Sequence, residues 1–201
     1  MANLIADEFM SLDGVAQAPS YPDEDPDGGF QGGWHTTYLD EQSLQWVAGN
    51  VTAADGYLLG RRTYEIFAAH WPNAAPEEQA LARPLNERPK YVVSTTLTAP
   101  LPWQNSQLLP GPNAADAVRA LKAEQDGAIH VIGSTRLVQT LIAHRLIDEF
   151  RLMIDPLVIG AGKRFFSDLQ APLQLNLTEH TVTSTGAILA SYTLARPAGS
   201  T

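Results

Sequence analysis

Hydrophobic and polar positions along the chain alternate between two periods, and the order of those periods predicts an α/β protein. Residues 2–10 read as a first strand with Leu4 and Ile5 buried, closed by the turn Ser11-Leu12-Asp13-Gly14. Leu39, Leu44, Trp46, Val47 and Val51 recur at helical spacing and predict a helix over 39–53, ended by Asp55-Gly56. The apolar run Tyr57-Leu58-Leu59-Gly60 predicts a buried strand, and Arg61 opens a helix toward His70. A helix is expected around 77–87 within an irregular stretch, then a β-branched strand over 90–95. A loop marked by Pro100, Pro102, Pro110 and Pro112 follows. Asn113 is a suitable N-cap for a helix through Lys122.

The second half continues the pattern with a strand over 128–132 and a helix over 136–144. One long strand, 148–159, is interrupted at Pro156, and two alternating strands, 173–183 and 186–195, turn near Ser184-Thr185-Gly186. The order is βαβαβαβ with an antiparallel tail. This predicts a mostly parallel sheet flanked by helices on both faces, with antiparallel C-terminal strands at one edge. No repeat or linker divides the chain, so residues 1–201 are read as a single domain.

The segment 16–35 breaks both periods. It is rich in Pro, Gly and Asp and is expected to be too polar for the core. Two readings are open: a mobile surface loop, or a lid over a binding site. The aromatics Phe30 and Trp34 among its glycines favour the lid.

Composition removes several kinds of chemistry. The 201 residues are 44% hydrophobic and 17% charged, a globular balance that needs no cross-link to fold. There is no cysteine, which excludes disulfides, thiol nucleophiles, cysteine–zinc sites and iron–sulfur clusters. His70, His130, His144 and His180 are scattered without ligand spacing, so no metal site is expected. Asp7 and Glu8 interrupt the N-terminal apolar run, which argues against a signal peptide. No stretch approaches the roughly 20 apolar residues of a membrane span, and the cytoplasm is the expected location. The net charge is −9 and no basic stripe is present, so nucleic acid is not an expected partner. In so acidic a chain, the position of each arginine is informative.

Three segments share one design: an apolar strand, a small residue, then donors opening a helix or loop. They are Leu58-Leu59-Gly60-Arg61-Arg62-Thr63, Val92-Val93-Ser94-Thr95 and Val131-Ile132-Gly133-Ser134-Thr135-Arg136. Ligands of α/β proteins bind beyond the carboxyl ends of strands, where helix N-termini offer free N–H groups to phosphate. Glycine permits close approach, and arginine and hydroxyls add donors. Each segment alone could be an ordinary strand–helix turn. The Gly-x-Gly-x-x-Gly and P-loop patterns are absent, and no Gly-x-Ser-x-Gly elbow supports hydrolase chemistry.

The chain resembles the dihydrofolate-reductase-like superfamily, in the branch holding the reductase domain of the bifunctional riboflavin-biosynthesis deaminase-reductase. The resemblance spans nearly the whole chain. It rests on Ser11-Leu12-Asp13-Gly14, Gly60-Arg61-Arg62-Thr63-Tyr64-Glu65, Arg88-Pro89 before Val92-Val93-Ser94, Ile132-Gly133-Ser134, Leu146-Ile147-Asp148-Glu149 and the run Pro156 to Phe166.

The resemblance implies NADPH as cofactor. Gly60, Arg61, Arg62 and Thr63 would meet its phosphates, Ser94 and Thr95 its 2′-phosphate, and Gly133, Ser134, Thr135 and Arg136 its pyrophosphate. Asp13, after the first strand, and Trp34 and His35, at the return of the loop, are the candidate catalytic residues. Asp40 and Glu41 are candidates to orient a substrate. Ser43 stands where dihydrofolate reductase carries its pterin-binding carboxylate, so a pterin is not expected. The zinc-binding deaminase residues of the bifunctional enzymes are absent. Gly160-Ala161-Gly162-Lys163 looks like a phosphate loop but is read as local geometry.

The expected activity is hydride transfer to a small heterocyclic or carbonyl-bearing substrate. The alternatives are a non-catalytic NADP(H)-binding protein and a flavin-dependent reductase using the same pocket. A homodimer is expected, since the antiparallel tail leaves a strand edge to cover.

Overall fold

A computed structural model describes residues 1–109, 113–167 and 169–195; Pro110 and Pro112 of the expected proline-rich loop lie outside the described residues. One eight-stranded sheet runs through the molecule. Its strands are β1 (Asn3–Ser11), β2 (Gly56–Gly60), β3 (Lys90–Val93), β4 (Ser106–Leu109), β5 (Ala128–Val131), β6 (Glu149–Asp155), β7 (Leu175–Val182) and β8 (Ile188–Leu194). Their spatial order is β4-β3-β2-β5-β1-β6-β8-β7. The ladder is parallel from β4 to β6, and β8 and β7 join antiparallel.

Every residue of β2 is buried, as expected of a central parallel strand covered on both faces. Its side chains divide between two cores. Tyr57 and Leu59 pack with Tyr64 of α2 (Arg61–His70) and Leu85 of α3 (Gln79–Glu87), beside α1 (Glu41–Ala53). Leu58 faces the other way, toward Val118 of α4 (Ala114–Glu124) and Val138 and Leu141 of α5 (Thr135–Ala143). That period-two division is what a single sheet between two helical layers requires.

Local signals set most boundaries. Asn113 accepts hydrogen bonds from the backbone N–H groups of Ala115 and Asp116 and starts α4. Asp40 and Ser43 form a reciprocal capping box at 2.8 and 2.9 Å, which fixes the start of α1 at Glu41. The strand expected over 148–159 ends at Asp155, because Pro156 has no N–H to continue the ladder.

Two expectations need correction. The region after Pro100 and Pro102 contains β4, which pairs in parallel with β3 at the sheet edge. An edge strand tolerates prolines beside it, and those prolines conceal it in the sequence. The loop after β1 is not uniformly surface: Ala16, Gln17, Ala18 and Pro19 are buried. Gln17 can be buried because its amide is satisfied. It donates to the carbonyls of Asp25 and Asp27, and accepts from the Lys163 N–H at 2.9 Å. Among the described residues, no helix is long and apolar enough to cross a membrane.

Candidate functional site

The site arises from a break in the sheet. The β1–β5 ladder stops at Ala6↔Val131, whereas the β1–β6 ladder continues to Ser11↔Asp155. Beyond Ala6, the carboxyl half of β1 therefore borders an opening instead of a strand. A cleft of about 350 Å³ occupies it, floored by Asp7, Glu8 and Phe9. Trp46, Val47, Asn50 and Val51 of α1 form one wall, and the starts of α2 and α5 form another. The segment Ala18–Ser20, with Glu24, Asp25, Asp27 and Lys163, closes the rim.

The sequence pattern brings two of its three expected phosphate segments to this cleft. Arg61, Arg62 and Thr63 line it from α2, and Gly133, Ser134, Thr135 and Arg136 from the turn into α5. Neither helix has a side-chain cap, so no side chain occupies the first N–H groups at either start. Two glycines allow the turns to touch. The Gly60 N–H donates to the Gly133 carbonyl at 3.0 Å, and a Cβ on Gly60 would lie 2.5 Å from Ser134 Oγ. Gly133 has φ +83, and a Cβ there would stand 3.2 Å from Thr63 Oγ1. Uncapped helix N-termini, hydroxyls and exposed guanidinium groups on one wall fit a pyrophosphate. Gly60 itself lies behind that wall and not on it. Ser94 and Thr95 are outside the cleft, at the end of β3. Ser94 Oγ accepts from the Thr96 and Leu97 N–H groups at 3.1 and 3.0 Å.

The arginines are not equivalent. Arg61 pairs along its helix with Glu65 at 2.9 Å. Arg62 instead pairs with Asp25 and with Asp27, the latter at 3.1 Å. Lys163 meets the same two carboxylates at 2.6 and 2.8 Å. Hydrogen bonds from Lys163 and Arg62 hold the Asp27 carboxyl at about 2. Lys163 is thus a charged group on the cleft and not merely part of a turn. Behind it, Phe30 and Val15 fill the space at Gly162, where a Cβ would lie 2.7 and 2.8 Å from them.

The three candidate catalytic residues are held elsewhere. Asp13 accepts from Ser11 Oγ at 2.7 Å and from the Ile159 and Gly160 N–H groups at 3.0 and 2.9 Å. Those bonds, the one from Ser11 foremost, hold its carboxyl at about 2, so it carries no proton at neutral pH. Trp34 Nε1 donates to the Gln17 carbonyl at 2.9 Å, bracing the loop against itself. His35 is buried, joined through Nδ1 to Asp155, with its ring stacked 3.9 Å from Phe9. None of the three lines the cleft. Asp40 is likewise occupied: besides capping α1 it accepts from Ser184 N–H and Oγ, which with Ser43 hold its carboxyl at about 2.

What the sequence reading missed is the acid on the cleft floor. Glu8 Oε2 is sealed from solvent with no hydrogen-bond partner. Burial, then repulsion from Glu24 and Asp7, pushes its carboxyl well above the usual range, although a backbone bond from Phe9 opposes this. Glu24, on the rim, accepts from the Ser20 and Tyr21 N–H groups at 2.8 and 3.3 Å and is also raised, chiefly by burial. A signal was available: Asp7-Glu8 interrupts an otherwise apolar strand. Above them, Asn50 Oδ1 accepts from Arg151 at 2.9 Å, while its buried Nδ2 has no partner.

Comparison with known proteins identifies the family and the fold. The RibD C-terminal domain family matches residues 2–189. An uncharacterized Bacillus subtilis (strain 168) protein, YyaP, is 28% identical over 195 residues, covering 94% of this chain and 93% of its own. A Shewanella sp. PV-4 protein named for riboflavin biosynthesis superposes with a TM-score of 0.67 at 21% identity, over 98% of this chain and 100% of that one. Dihydrofolate reductase from Enterococcus faecalis, solved in complex with NADP(H), gives a TM-score of 0.61 at 14% identity, over 96% of this chain and 97% of that one. These two structural likenesses establish a dihydrofolate-reductase-like fold.

Proposed function

The chain belongs to the RibD C-terminal domain family, and from that premise we propose that it is an NADPH-dependent reductase of a small heterocyclic or carbonyl-bearing substrate. The observation that carries this reading is the convergence of two uncapped helix starts, Arg61 and Arg136 on one cleft beside the β1 opening. The α2 and α5 N-termini, with Thr63, Ser134 and Thr135, hold the pyrophosphate, and Arg61, Arg62 and Arg136 supply charge. Ser94 and Thr95 follow along the same carboxyl edge of the sheet, just after β3, which lies next to β2, and receive the 2′-phosphate. Bound there, NADPH supplies a hydride equivalent to a carbon of the substrate. Asn50 Nδ2 offers a donor to a substrate carbonyl or ring nitrogen. The buried stretch 16–19 and the ion pairs of Asp25 and Asp27 keep water out while the substrate is held.

A cytoplasmic homodimer joined through the β7 edge completes the reading. Leu177 and Val182, exposed on that strand, support it.

The test is a titration with NADPH and, separately, NADH, followed by tryptophan fluorescence; Trp46 on the cleft wall is the reporter. Micromolar NADPH binding with much weaker NADH binding is expected. Binding of neither would remove the cofactor assignment.

A further inference from the structure

Reducing a C=O or C=N bond takes a proton as well as a hydride equivalent, and the hydroxyls and guanidinium groups that line the phosphate wall are poor acids near neutrality. Arginines do not release protons near neutrality, and Arg62 and Lys163 are engaged with Asp25 and Asp27. A better acid on the same cleft would supply the proton.

We propose that Glu8 is the proton donor of this cleft, holding a proton on its carboxyl group and passing it to the heteroatom of the double bond being reduced. Its side chain lines the cavity from β1, at the point where β5 has left the ladder. Oε2 is enclosed and unpartnered, so an ionised carboxylate there would lack the hydrogen bonds that burial demands. The neutral acid keeps an O–H on a side chain that lines the cavity. The proposal rests on the reductase reading.

The surroundings favour the neutral form from each direction. Asp7, the preceding residue, is already bonded to His130 Nδ1 from β5. Glu24 faces the same cavity from the rim, with its carboxylate turned to the Ser20 and Tyr21 N–H groups. Glu8 has no salt-bridge partner among the described residues, and the cations Arg62 and Lys163 are held by Asp25 and Asp27. Arg61 and Arg136 are the remaining cations on the cavity wall, and both are exposed at its solvent side. Burial, then repulsion from the Glu24 and Asp7 carboxylates, pushes the Glu8 acid well above the usual carboxylate range, which is the direction a proton donor requires.

The step balances. The substrate carbon gains the hydride equivalent, its heteroatom gains the Glu8 proton, and the double bond becomes single. The electron pair of the broken O–H bond stays on Glu8, which water reprotonates. The cofactor is oxidised and the substrate reduced.

The experiment is a carboxyl-carbon NMR titration of glutamate-labelled protein, free and with NADPH, in the wild type, Glu8→Gln and Glu24→Gln. A resonance lost only in Glu8→Gln should titrate far above the ordinary glutamate midpoint, and Glu24→Gln should lower that midpoint by removing a repelling charge. Thermal melts give a second readout. A raised acid penalises the fold as pH climbs above its unfolded pKa, so Glu8→Gln should match the wild type in acid and exceed its Tm increasingly toward alkaline pH. A Glu8 resonance titrating in the ordinary carboxylate range, with equal Tm at all pH, overturns the proposal. NADPH affinity is measured in parallel. Retention in Glu8→Gln keeps the two questions separate, and loss of NADPH binding in the wild type would count against the cofactor reading alone.

Discussion

His35 Nδ1 and Asp155 Oδ2 meet at 2.8 Å with both side chains closed to solvent, joining the loop after β1 to the end of β6. The pair explains how a segment rich in Pro, Gly and Asp keeps one place over the cleft. His35 also stacks on Phe9, a floor residue of the cavity, so the pin and the site share a wall. Replacing His35 by Ala strands a buried carboxyl group, and breaking a buried pair costs about 3–5 kcal/mol. His35→Ala should therefore shift the urea midpoint well below wild type, with His35→Gln recovering part of the loss. An unchanged midpoint would show that the loop does not depend on this contact.

The acidic rim competes with any anion for Arg62 and Lys163. Asp25→Asn or Asp27→Asn leaves both cations less compensated. NADPH should then bind about two- to fivefold more tightly at low salt, the gain fading as ionic strength rises. Isothermal titration at two salt concentrations checks this, and weaker binding at both would mean that the rim's closure matters more than its charge.

Two glycines should fail in different ways. Gly14 has φ +83 and open space, with nothing within 4 Å, where a Cβ would stand, so Gly14→Ala costs only left-handed backbone strain, about 1–2 kcal/mol. Gly60 has an ordinary φ of −76, but its Cβ would press on Ser134 at 2.5 Å. Gly60→Ala should displace the turn into α5 and abolish most nucleotide binding. Melting curves and NADPH titrations of the two variants separate strain from displacement.

Asp13 gives a pH prediction. Its carboxyl sits at about 2 in the fold against an ordinary 3.8. A lowered acid adds stability that is fully present above the unfolded value and disappears as pH falls through the folded one. Asp13→Asn should therefore be less stable than wild type at neutral pH, and the gap should close between about pH 4 and pH 2. A gap independent of pH would assign the loss to geometry and not to charge.

The sequence carried the fold further than the chemistry. Buried strands such as Leu58-Leu59 and caps such as Asn113 are local signals, and the structure uses them where they stand. β4 was hidden because its partner, β3, lies beyond a loop, and pairing at an edge leaves little mark on four residues. Gln17 was misread because burial of a polar side chain depends on partners that periodicity does not reveal, here Asp25, Asp27 and Lys163. The placing of the α2 and α5 starts on one cleft was legible because strand, glycine and donor are consecutive. The Asp13, Trp34 and His35 candidates came from proximity along the chain, which says little about which way a side chain faces. Glu8 carried a signal, a charge within an apolar strand, that also argues against a signal peptide and so has two readings in the sequence.

The ladder break has a consequence for how the protein is made. Glu8 and Gly133 flank the same opening, yet β5 follows β2, β3 and β4 in the chain and takes its place between β2 and β1. Contacts this distant in sequence close late in folding, because the entropy of the intervening loop is lost before they can repay it. A ribosome-bound chain ending before β5 therefore has the acid and the α1 and α2 walls, but not the turn into α5 that completes the cleft.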